Sequence, residues 1–216
     1  MSRFFSVLLA FLILAGCQLP TLPERPTPID NSLPLQKRAG NQVIWLWLPQ
    51  TMQSELVNYR FAVEANLSTL VDDKLLLQRS IEAQKRFDQA VKEHGGVFDP
   101  SSGKLNQAGL MAGLELVKTY VAAEMPEVTD IIYVNLKQQS VKVHDGVARW
   151  NNTQQKVVNT NSSVRYATAV SLELRYIGSE QQPLTEIQGL DIQPAPLGNH
   201  NRYELILKRV LQPYLQ

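Results

Sequence analysis

Residues 170–176, Val-Ser-Leu-Glu-Leu-Arg-Tyr, decide the fold class. Val170, Leu172, Leu174 and Tyr176 alternate with Ser171, Glu173 and Arg175. A period of two is that of a β-strand, whose successive side chains point to opposite faces. The spacing predicts a strand with one buried face and one wet face, as antiparallel sheets commonly have. Outward from it the same signal recurs. Ile132, Val134 and Leu136 alternate with Tyr133, Asn135 and Lys137, and Val141 and Val143 alternate with Lys142 and His144. Leu184–Ile192 reads as a further strand. The run Val43–Leu48 (VIWLWL) is apolar throughout and ends at Pro49, so it reads as a buried strand with Trp45 and Trp47 in the core.

Between these strands the period lengthens. Ser54–Leu70 has helical spacing. A second helix is predicted from an N-cap at Asp72 to a stop at Gly95-Gly96 after His94, with Leu77, Ile81, Phe87 and Val91 as its apolar stripe. A third runs from Leu105 to Glu124, before Pro126; Gly109, Ala112, Gly113 and Ala122 keep it slender enough for close packing. Tyr203, Ile206, Val210 and Tyr214 line one face of a closing helix. The order strand, helices, several strands, helix predicts an α/β or α+β fold. Its sheet is mixed and largely antiparallel, packed by two to four helices, in a single domain over residues 42–216. No internal repeat is present.

The 216 residues suffice for one ordinary domain, and 44% hydrophobic with 19% charged residues is a globular composition. Without Arg3, basic and acidic residues balance at 20 each, so no basic excess marks a nucleic-acid partner. The single cysteine excludes an intrachain disulfide, a CxxC redox pair and a multi-cysteine zinc site.

That cysteine closes the segment MSRFFSVLLAFLILAGC. Arg3 precedes an apolar run from Phe4 to Ala15, the layout of a secretory signal peptide. Twelve helical residues would reach roughly 18 Å, short of a bilayer core of about 30 Å. Leu14-Ala15-Gly16-Cys17 resembles the lipobox of bacterial lipoproteins. The resemblance implies cleavage after Gly16, making 1–16 the signal peptide, and lipid attachment at Cys17, whose acyl chains together hold a membrane stably. Gln18, where retained lipoproteins carry Asp, implies the outer membrane, with the domain in the periplasm. The remainder of 17–41 carries prolines at 20, 23, 26, 28 and 34. It reads as an extended tether reaching about 50 Å from the lipid, or as a leader of no selected length.

No catalytic constellation stands out. His94, His144 and His200 lie far apart without metal-ligand spacing, so no metal site and no cofactor are expected. The loop Gly95–Lys104 (GGVFDPSSGK) offers Asp99 and Lys104 as candidates. It fails the phosphate-loop pattern, because Phe98 stands where a glycine is needed and Leu105 follows Lys104, and it fails the calcium-loop pattern at Leu110. An Asp-Pro turn joining two helices is the plain reading. After the turn His144-Asp145-Gly146, Arg149 and Trp150 are candidates for a partner surface, since both types favour binding hot spots; a tryptophan packed over a sheet is the alternative.

Taken together, GGVFDPSSGKL, GVARWN, SLELRY and QGLDI resemble a group of uncharacterised proteobacterial envelope lipoproteins, over roughly residues 80–192. The chain departs from that pattern at Asn151-Asn152, where the group has Asp-Gly, and no activity travels with the resemblance. By element order alone the domain is also similar to the α/β modules of the Tol-system periplasmic protein and the curli-secretion lipoprotein, which implies a role in partner binding or assembly. The expectation is therefore a periplasm-facing outer-membrane lipoprotein that binds an envelope protein partner. A cell-wall or lipid-directed enzyme using carboxylates, or a small-ligand carrier, are the alternatives. No catalytic residue is assigned.

Overall fold

The computed structural model describes residues 27–28, 43–50, 53–99, 101, 105–157, 166–177, 185–193 and 200–212. Among them the chain forms β1 (Thr27–Pro28), β2 (Ile44–Trp47), α1 (Val57–Leu67, entered through a 3₁₀ turn), β3 (Leu75–Leu77), α2 (Ile81–Glu93) and α3 (Gln107–Glu124). There follow β4 (Asp130–His144), β5 (Val147–Trp150), β6 (Thr153–Lys156), β7 (Tyr166–Ile177), β8 (Thr185–Ile192) and α4 (His200–Leu211). The mixed α/β fold expected from the alternation is present. β2 pairs in parallel with β3 and β4, and every other ladder is antiparallel.

The 15-residue β4 is the spine. Residues 131–133 lie between β2 and β7, and β7 continues along the strand from Ile177 opposite Ile131 to Tyr166 opposite Lys142. Helices cover both faces here. Ile44, Leu46, Ile132, Val134, Leu172 and Leu174 pack under α1 and α4. Trp45, Trp47, Ile131, Tyr133 and Ile177 pack under α2 and α3. A strand covered on both sides must be apolar without alternation, which is why β2 reads IWLW. Trp45 and Trp47 stack at 6.0 Å, and Phe87 of α2 meets Trp47 edge-on at 5.2 Å.

Beyond the helices the sheet curls. Asp145-Gly146 and Asn151-Asn152 all have positive φ, as two successive type I′ hairpin turns require. They fold β5 and β6 back toward β8. Gly189 N–H donates to Asn151 O at 2.7 Å and Thr153 Oγ1 donates to Gly189 O at 2.9 Å. A Cβ on Gly189 would stand 2.7 Å from Thr153 Cβ and 2.8 Å from Trp150 Nε1, so the seam closes only over glycine. Inside the curl lies a third apolar cluster of Val141, Ala148, Trp150, Ala169 and Ile192. On the outer edge of β6, Thr27 and Pro28 pair with Gln154 and Thr153. Proline is tolerated there because an edge strand needs no second row of donors.

Two expectations are corrected. The stretch 72–80 is not helical: Leu75–Leu77 forms β3 beside β2, and Asp72 Oδ1 accepts from Lys74 N at 2.8 Å and Leu75 N at 2.6 Å in the turn that leads into it. The helix begins after Ser80, whose hydroxyl oxygen accepts from Ala83 N, and Ile81 is 75% exposed rather than part of the stripe. The second concerns residues 170–176. Their polar face is not wet, for Ser171, Glu173 and Arg175 are all buried.

Candidate functional site

The residues nominated from sequence separate in space. Gly16, Cys17 and Lys104 lie outside the described residues, as do the signal segment and all of the tether except Thr27–Pro28. Asp99 spends Oδ1 on a turn, accepting from Ser101 N at 3.0 Å and from its hydroxyl. Before it, α2 closes with Gly96 N–H donating to Val91 O and Gly95 N–H to Lys92 O, the Schellman arrangement. Arg149 and Trp150 do not form a common patch. Adjacent strand residues face opposite ways, so Arg149 is exposed on β5 while Trp150, 6% exposed, points into the curl and donates from Nε1 to Val170 O at 3.4 Å.

What the fold assembles instead is a polar strip on the face of β4 and β7 that also carries α2 and α3. Tyr133 and Ile177 are covered by those helices, and Val141 and Ala169 by the β5–β6 hairpin. Between the two walls lie Asn135, Lys137 and Gln139 of β4 with Ser171, Glu173 and Arg175 of β7. Register sets Asn135 directly opposite Glu173, Tyr133 opposite Arg175 and Lys137 opposite Ser171. Cross-strand and diagonal neighbours on one face lie within reach of long side chains.

Glu173 is the hub and is 1% exposed. Its Oε1 receives Lys137 Nζ at 2.6 Å, Arg175 Nη2 at 2.9 Å and Arg175 Nε at 3.1 Å, while Asn135 Nδ2 donates to Oε2 at 3.2 Å. A buried carboxylate needs such partners, since an isolated one would cost far more than a folded domain can spare. Farther along the strip, Asn151 Nδ2 donates to Ser171 Oγ at 2.7 Å and to Gln139 Oε1 at 3.3 Å, so the hairpin tip is fastened to the same strip. Asn151 suits this place, because asparagine accepts positive φ and its carboxamide supplies a donor that a carboxylate lacks. Tyr133 borders the strip. Burial pushes its phenol well above the usual tyrosine range, Glu173 pushes the same way and Arg175 opposes.

A second buried pair, Arg202 of α4 with Asp191 of β8, is structural in setting. Asp191 also accepts from Ile192 N at 2.8 Å and from Tyr203 Oη at 3.1 Å, which fastens the last helix to the edge strand. Burial pushes the Tyr203 phenol above its ordinary value. Among the described residues no cluster of three or more His, Cys, Asp or Glu is arranged to hold a metal ion, and no helix is long and apolar enough to cross a membrane.

Periodicity puts Glu173 and Arg175 on a wet face and singles out neither them nor Lys137 as site residues. The one signal in the sequence is the opposite charge of Glu173 and Arg175 at an i, i+2 spacing on a strand, which shows a shared face but not what covers it. Comparison with known proteins adds nothing here: no family model, no curated protein and no solved structure matches the chain.

Proposed function

We propose that this chain is an outer-membrane lipoprotein whose domain, held in the periplasm by lipid on Cys17 and the proline-rich tether, binds a protein partner in envelope assembly or maintenance. The lipobox-like LAGC, Gln18 after it and the balanced charge support the address and the absence of a nucleic-acid role. One observation carries the binding role: the carboxylate at the centre of the strip is fixed rather than poised. Three cationic N–H contacts converge on one oxygen of Glu173, with a carboxamide on the other. A carboxylate engaged in this way holds its cations in fixed orientation. A rigid set of polar groups between two walls is suited to recognition.

The test is photocrosslinking in living cells from probes placed at Gln139 and Arg149, followed by capture and mass spectrometry. The control is Cys17→Ala with its signal peptide made cleavable. One dominant protein adduct, lost with the anchor, is the expected result. Adducts spread evenly over unrelated proteins, or failure of labelled palmitate to incorporate into the wild-type chain, overturns the proposal.

A further inference from the structure

We infer that Lys137 and Arg175 form a subsite for a carboxylate, and this deepens the proposal above because it rests on reading the strip as a recognition surface. The reason is a charge imbalance that the fold holds in place. Two cationic side chains share a single carboxylate, Glu173, and the fourth member of the cluster, Asn135, is neutral. Both cations crowd onto Oε1, and among the described residues the cluster holds two cations and one carboxylate, a balance of one positive unit. The Arg175 side chain is 8% exposed and that of Lys137 is 32% exposed. Desolvation raises the cost of an unbalanced charge, and an arriving anion relieves it.

The geometry says where the anion sits. Arg175 turns Nε and Nη2 toward Glu173, which leaves Nη1 with no partner among the described residues. Lys137 spends one donor on Oε1 and is the more open of the two cations. A carboxylate entering from the solvent side of Lys137 would accept from both. Glu173 acts as a positioning residue that holds the two cations together and competes with the ligand for them. The ligand is a carboxylate, either a small free acid or the side chain or C-terminus of a partner peptide.

The sign of the Glu173 effect is diagnostic. A salt bridge with a purely structural role loses stability when Glu173 is replaced and gains nothing in binding. A subsite gains affinity, because the internal competitor is gone. The experiment uses the purified full chain in non-ionic detergent, observed by ¹⁵N NMR at Arg175 Nε and Lys137 Nζ. Sodium acetate is titrated against sodium chloride at matched ionic strength. Saturable acetate shifts confined to these two groups are expected, with affinity weakened at least tenfold in Lys137→Gln and tightened at least tenfold in Glu173→Gln. Should Glu173→Gln fold poorly, Lys137→Gln carries the decision alone, because that side chain is partly open. Acetate shifts that stay linear and equal to those of chloride, or that survive Lys137→Gln unchanged, overturn the subsite.

A hexaglutamate peptide, with hexaglutamine as control, separates the two sources of carboxylate. Saturable hexaglutamate shifts at the same two groups support the subsite with a partner peptide as its source. Acetate binding without hexaglutamate binding supports the subsite with a small acid as its ligand and counts against the protein-partner role. A dominant crosslinked partner whose capture persists in Lys137→Gln keeps that role and removes the subsite from it.

Discussion

Gly113, midway along α3, faces α2 so closely that a single methyl group decides stability there. A Cβ at this position would stand 2.5 and 2.7 Å from two ring carbons of Phe87 and 3.0 Å from Val91 Cγ2. Two terms oppose each other in Gly113→Ala. Alanine in a helix interior gains about 1 kcal/mol over glycine from backbone entropy and propensity. Overpacking a filled core costs about 1–3 kcal/mol. The Phe87 ring would have to retreat by about 0.9 Å to reach ordinary contact. It cannot swing freely, because Trp47 meets it edge-on at 5.2 Å and Tyr133 lies at 6.2 Å. Packing therefore wins, and the variant is less stable by about 1 kcal/mol, a fall in Tm of roughly 2–4 °C for a domain of this size. Urea denaturation followed by tryptophan fluorescence measures it, since Trp45 and Trp47 sit in the same cluster. The exposed position Glu115 calibrates propensity, with Glu115→Gly about 1 kcal/mol less stable than Glu115→Ala. In a Phe87→Leu background the sign should reverse, because the obstructing ring is gone. A Gly113→Ala chain as stable as the wild type, or more so, refutes the reasoning.

Two further expectations follow from the same geometry. Trp150→Ala should cost about 3–5 kcal/mol by emptying the core of the curl, whereas Arg149→Ala on the exposed side should stay within about 0.5 kcal/mol; equal effects in denaturant would contradict the opposed facing of these neighbours. Glu64 is held below its ordinary pKa of 4.5, first by its hydrogen bonds from Arg79 at 2.6 and 2.8 Å, then against burial with help from the charges of Arg60 and Arg79. A lowered folded-state pKa contributes stability that is present above the ordinary value and lost as pH falls through the lowered one. Arg79→Gln should raise the Glu64 pKa in a carboxyl ¹³C titration and flatten the acid-side loss of stability, and salt should shrink the difference because Arg79 is exposed; an unmoved Glu64 titration would sink the assignment.

Local chemistry made much of the fold readable. The alternation at 132–136 and 170–176 gave β4 and β7, the unbroken VIWLWL gave a strand buried on both faces, and Asp145-Gly146 gave its hairpin. Each rests on interactions within a few residues, which a sequence spells out directly. Asp72 misled for the same reason. Its carboxylate caps a turn before a strand with the same bonds it would use before a helix, and only the parallel pairing of Leu75–Leu77 with β2 separates the two.

The polar strip belongs to the other category. Sequence alone established that Glu173 and Arg175 share a face of one strand, because period two is a property of the backbone. It did not establish that α2, α3 and the β5–β6 hairpin close on that face, nor that register sets Asn135 opposite Glu173 and brings Lys137 from residue 137 to within 2.6 Å of it. Whether a charged alternation is a solvated surface or a buried site depends on what covers it. Distant segments supply that cover, and their arrangement is set by packing of the whole chain rather than by any local pattern.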